Sequence, residues 1–161
     1  MNKRKRIFSV GVGFLSLIFI VTLVSISTFL NPFLQAKNER SFERTVLSLP
    51  SDANEINLTD IVSFEWDALY SFSGYASTEY INGILGFKSI IKPTYQEDRS
   101  HVVFVKGGKI VCHIINGDNK NYTFAGPGEE GFINSDLPST VVLMRRDGHL
   151  HLGLYINTDV S

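Results

Sequence analysis

His101-Val102-Val103-Phe104-Val105-Lys106-Gly107-Gly108-Lys109-Ile110-Val111-Cys112-His113-Ile114-Ile115 is a pair of β-branched, apolar runs joined by two glycines. A two-residue connection between strands needs positive φ at both turn positions, and glycine adopts it without steric cost. The stretch therefore predicts a tight hairpin. Further along, Thr140 to Arg146 and His149 to Ile156 flank Asp147-Gly148, a second signal of the same kind. In the last run Leu150, Leu152, Leu154 and Ile156 alternate with His149, His151, Gly153 and Tyr155. That alternation predicts one buried face and one wet or polar face.

Toward the N-terminus, Phe64 to Phe72 reads as a strand. Trp66, Ala68, Tyr70 and Phe72 lie on one face, and Glu65, Asp67, Leu69 and Ser71 on the other. Gly74 allows a turn. Ser77 is placed to cap a short helix whose stripe is Ile81, Ile84 and Leu85, and Gly86 is placed to stop it in a left-handed conformation. Thr59-Asp60 reads as the start of another short helical turn. The expected architecture is α+β: one antiparallel sheet, made of the two hairpins and the Phe64–Phe72 strand, packed against one or two short helices. Residues 116–139 are rich in Gly, Asn, Asp and Pro and predict a long irregular loop. Loops carry binding residues more often than core strands do, which makes Asp118, Asn119, Lys120, Tyr122, Glu129 and Glu130 the candidate partner-binding residues.

Ile7 to Leu30 holds no charged residue and follows Lys3-Arg4-Lys5-Arg6. About 20 apolar residues span a bilayer core, so this stretch predicts a transmembrane helix with Phe14, Leu17, Ile18, Ile20 and Leu23 among its lipid-facing residues. The flanking cations put the N-terminus in the cytoplasm and the rest outside. A cleaved secretory signal, with Ser25-Ile26-Ser27 as its site, is the minority alternative. Asn31-Pro32 is expected to end the helix. The predicted organisation is a basic tail at 1–6, a span at 7–30, a juxtamembrane stalk at 31–57 and an extracytoplasmic domain at 58–161. Within the stalk Phe33, Leu34, Phe42, Val46, Leu47 and Leu49 form a loose helical stripe.

The chain carries a net charge of −1, so the four cations of the tail leave the exported portion at −5. A mildly acidic domain argues against nucleic acid as a partner. A single cysteine, Cys112, allows no intramolecular disulfide, and the lack of one in an exported domain points toward a bacterial envelope protein.

Trp66-Asp67-Ala68-Leu69-Tyr70-Ser71-Phe72, followed by Tyr75, Ser77, Ile81 and Leu85-Gly86-Phe87, resembles small, mostly uncharacterised bacterial exported proteins anchored by a helix or a lipid. Their pattern reads roughly W-D-x-[LV]-Y-x-F-x-x-Y-[TA]-S, then a short helix ending L-G-F. The resemblance covers about residues 58–115. It departs at Ser73-Gly74, where a proline often precedes the tyrosine. It implies an envelope location and a hairpin after the helix, and it carries over no catalytic residue.

The remaining candidate sites have plainer structural readings. Asp67 beside Trp66 reads as a carboxylate bonding backbone N–H groups rather than a ligand group. Glu65 and Asp67 are too close together on one strand to act as a glycosidase pair. His149-x-His151 sets two imidazoles on one face and is the weak metal candidate. A two-residue turn would place Met144 opposite His151 and Arg146 opposite His149, a cation that disfavours a metal. Cys112 and His113, being adjacent, face opposite sides and cannot form a nucleophile pair. Gly126-Pro127-Gly128-Glu129-Glu130-Gly131 lacks the lysine of a phosphate loop. The expected function is a single-pass, membrane-anchored, extracytoplasmic binding domain without catalysis, with a protein partner and no cofactor. One version neutralises an incoming toxin. The alternatives are a structural envelope component and an envelope hydrolase built on Asp67, His149 and His151.

Overall fold

Both tight hairpins form, and they go to different sheets. Gly107 and Gly108 have φ of 55° and 69°, and Asp147 and Gly148 have φ of 52° and 79°, so all four turn residues are left-handed. The computed structural model describes residues 31–117, 120–126, 132–135 and 139–156. The predicted span at 7–30, with Phe14, Leu17, Ile18, Ile20 and Leu23, lies outside them. Among the described residues, no helix is long and apolar enough to cross a membrane.

In chain order the elements are α1 (31–47), β1 (Glu55–Asn57), α2 (Leu58–Ile61), β2 (Ala68–Ser73), α3 (Thr78–Leu85), β3 (Ser100–Lys106), β4 (Lys109–Ile115), β5 (Tyr122–Ala125), β6 (Phe132–Asn134), β7 (Ser139–Arg146) and β8 (His149–Ile156). The fold is α+β, as expected, with one correction. There are two four-stranded sheets rather than one, ordered β1-β7-β8-β5 and β4-β3-β2-β6. We call them the first and second sheet. All neighbours are antiparallel except β5 and β8, which run parallel. The region 116–139, expected to be irregular, supplies β5 and β6, one to each sheet. Both strands are short, and their period-2 pattern is lost among turn residues.

The sheets share a core. Leu69, Val102, Phe104, Cys112 and Ile114 of the second sheet pack with Tyr122, Phe124, Val141, Leu143, Leu150 and Leu152 of the first. Helix α1 enters the same core. Asn38, Phe42 and Val46 recur every four residues and so lie on one helical stripe, and all three are buried. The Phe42 ring sits 5.4 Å from Phe124 and 6.1 Å from both Phe104 and Tyr122. From Leu34 onward, the segment expected as a stalk is packed into the domain. Residues 31–47, including Asn31 and Pro32, are helical, β1 pairs with β7, and one compact unit begins at Leu34.

On its other face the second sheet is covered by α3. Ser77 Oγ accepts the Tyr80 N–H at 3.1 Å, and Gly86 ends the helix with φ 74°, both as expected. Ile81 and Leu85 pack with Phe72, Val103, Val105 and Ile110, whereas Ile84, assigned to the same stripe, is 44% exposed. Gly74 fastens the following loop. Its N–H donates to the Arg99 carbonyl, and its own carbonyl accepts from Thr94 and Tyr95. A Cβ there would lie 2.5 Å from the Arg99 carbonyl oxygen, so only glycine fits.

One irregularity decides which face several residues take. Phe104 pairs with Cys112 but Val105 pairs with Ile110, so Val111 is an extra residue in β4. The bulge sends Ile110 toward α3 and Cys112 toward the shared core, although two positions apart they would share a face in a regular strand.

Candidate functional site

Among the described residues, the first sheet is covered on one face only. Its other face presents Thr123 and Ala125 from β5, Val142 and Met144 from β7, and His151 and Gly153 from β8, and with Leu152 these line a pocket of about 160 Å³. The alternation read in the last strand holds where side chains are described: Leu150 and Leu152 are buried, and His151 is exposed. The predicted cross-strand register is also present, with Met144 opposite His151 and Arg146 opposite His149. On the other flank Thr123 lies opposite His151. Its hydroxyl is 2.8 Å from His149 Nε2, and the two imidazole rings of β8 are 4.7 Å apart. Met144 is 62% exposed, an unusual setting for a thioether inside a strand.

The candidate loop residues separate. Asp118, Asn119, Glu129 and Glu130 lie outside the described residues. Lys120 and Tyr122 are tied into the fold. Tyr122 is fully buried in the shared core, and burial pushes its phenol up to about 12. Lys120 Nζ bonds Glu39 Oε1 at 2.7 Å and lies 3.4 Å from the Tyr122 hydroxyl. This ion pair and the Asn38 Nδ2 donation to the Val111 carbonyl at 2.9 Å fasten α1 to β4 and β5.

Asp67 has the structural role expected of it. It accepts the Gly107 N–H at 2.7 Å and pairs with Lys106 Nζ at 2.8 Å, staples that hold the β3–β4 turn. The bond from Lys106 and that from Gly107 lower its carboxyl below the usual range. Asp67 thus sits at a turn of the second sheet, while His149 and His151 stand on the outer face of the first. The hydrolase constellation of these three is not assembled.

A second histidine pair escaped the sequence. His101 Nδ1 and His113 Nε2 are 3.0 Å apart on the α3-side face of the second sheet. Without the bulge, His113 would lie across from Val102; with it, His113 lies across from Val103, on the same face as His101. Burial lowers both imidazoles, His113 to about 4, which keeps both neutral near pH 7. His101 Nε2 is buried without a hydrogen-bond partner. Burial also pushes the Cys112 thiol up, so it behaves as a small core residue rather than a nucleophile.

The edge of β5 is occupied by a side chain. Asn116, 2% exposed, donates to the Phe124 carbonyl at 2.7 Å and accepts the Phe124 N–H at 3.0 Å. It stands in for a neighbouring strand.

Among the described residues, no group of three or more His, Cys, Asp or Glu side chains is placed to hold a metal ion. No family model, curated protein or solved structure matches the chain.

Proposed function

We propose that this protein is a non-catalytic binding domain tethered to the outer face of a bacterial plasma membrane by residues 7–30, and that it receives a protein partner on the open face of its first sheet. The observation that carries the reading is the asymmetry of the two sheets. The second is packed on both faces, whereas the first leaves a formed, largely apolar pocket beside Met144 and His151. An apolar recess with a few polar groups at its rim is what a partner's anchor side chain fills. The edges argue against assembly by strand addition. Asn38 engages β4, Asn116 engages β5, and the edge strands β1 and β6 have three residues each.

The test is capture of partners by the full-length chain solubilised from its own membranes, comparing wild type with Val142→Lys. A stoichiometric protein that is retained by wild type and lost from the variant supports the reading. A partner held equally by both removes the open face from it, and an empty capture removes protein binding altogether. Labelling of the domain's lysines in intact cells by an impermeant amine reagent tests the topology.

A further inference from the structure

We propose that the outer face of the first sheet holds a soft, monovalent transition metal, copper(I), between the imidazoles of His149 and His151 and the thioether of Met144. The inference goes beyond the binding-domain reading and does not depend on it.

Three observations converge. His149 and His151 alternate on β8 with their ring centroids 4.7 Å apart, a spacing close enough for one ion to lie between them. Met144 is the cross-strand partner of His151, and both line the same pocket. Cross-strand pairs put Cβ atoms about 5 Å apart, within reach of a shared ion for these two long side chains. Thr123 supplies the outer support. Its hydroxyl meets His149 Nε2 at 2.8 Å; with that nitrogen donating, Nδ1 keeps the lone pair that binds the metal. A ligating histidine almost always has its other ring nitrogen held in this way.

The donor set selects the ion. Thioether and imidazole suit copper(I), while hard divalent ions want carboxylates, and none lines this pocket. Arg146, opposite His149, raises the cost of a divalent charge more than of a monovalent one. Its side chain is 80% exposed and reaches toward Asp147 at 3.9 Å, so it is not locked over the rings. The other histidine pair is a poorer host. His101 is fully buried, its Nδ1 is already bonded to His113, and Cys112 lies on the opposite face of the strand.

The chain contains only two methionines, one cysteine and four histidines, so soft donors can be tested exhaustively. Full-length protein in detergent micelles is titrated anaerobically with copper(I) against a chromophoric copper(I) chelator, and the chelator's absorbance is read. Wild type withdraws one equivalent. Met144→Leu and His151→Gln each weaken binding by about tenfold or more, and Thr123→Val, which removes only the support, weakens it by about tenfold. Cys112→Ala leaves binding unchanged. Met144 and His151 are exposed, and an unaltered thermal midpoint in each variant shows that the fold is intact. The proposal is overturned if no copper is withdrawn, if Met144→Leu binds like wild type, or if Cys112→Ala abolishes binding. Zinc(II) binding as tight as copper(I) overturns the choice of metal.

Discussion

The two sheets were built from similar sequence material and ended in different environments. Each contains a tight hairpin with left-handed turn residues, and each contributes one face to a common core. The second sheet is sealed again on its far side by α3 and the segment around Ile91, which bury Val103, Val105 and Phe72. The far side of the first sheet has no such cover among the described residues, and there Met144 and His151 meet solvent. The difference separates load from opportunity. A strand buried on both faces is tuned for packing, whereas one with an open face can change its outer residues with little effect on stability.

The sharpest test of that contrast is Phe104→Ala. Phe104 is fully buried and touches the rings of Phe42, Phe64 and Trp66 at 5.2 to 6.1 Å. Its loss is expected to cost about 3–5 kcal/mol in urea unfolding, and a cost under about 1 kcal/mol would mean the shared core is not the main source of stability.

The histidine pair makes the second sheet sensitive to acid. Both imidazoles titrate lower in the folded than in the unfolded chain, so the unfolded chain binds more protons over the intervening range. Stability is full above the ordinary value of 6.5 and falls as pH drops toward 4. From His113 alone the loss should be on the order of 2–3 kcal/mol between pH 7 and 4. His113→Gln is expected to flatten that slope; an equal slope in the variant would place the acid sensitivity elsewhere.

Asn116→Ala tests the edge of the first sheet. It strips β5 of two buried bonds and should cost about 1–3 kcal/mol, with amide exchange accelerated at Phe124. Exchange unchanged at that amide would show the edge to be closed by other means.

The smallest effect is expected on the open face. Met144→Ser should change stability by no more than about 0.5 kcal/mol, because its side chain is already 62% exposed. A large loss would mean that this face is covered in the folded protein.

Much of the local structure was legible. The positive-φ turns, the Ser77 cap, the Gly86 stop and the register placing Met144 opposite His151 all depend on interactions within a few residues or across one turn. Such interactions leave direct marks in sequence. The candidate site was half legible. His149 and His151 were visible as an alternating pair, but the pocket also needs Thr123 and Ala125, which come from a parallel pairing across more than twenty residues. Lys120 and Tyr122 looked like loop residues because their partners, Glu39 and the Phe42 ring, lie some eighty positions away.

The sequence by itself determined the α+β class, the two hairpins and the capped helix, because turn conformation and side-chain periodicity are local properties of the chain. The tertiary structure alone decided that the hairpins part into two sheets, that residues 34–47 close the core instead of standing as a stalk, and that one extra residue in β4 brings His101 to His113. Those outcomes follow from which apolar surfaces bury one another at long range. Several pairings bury similar area by pattern, and only packing selects among them.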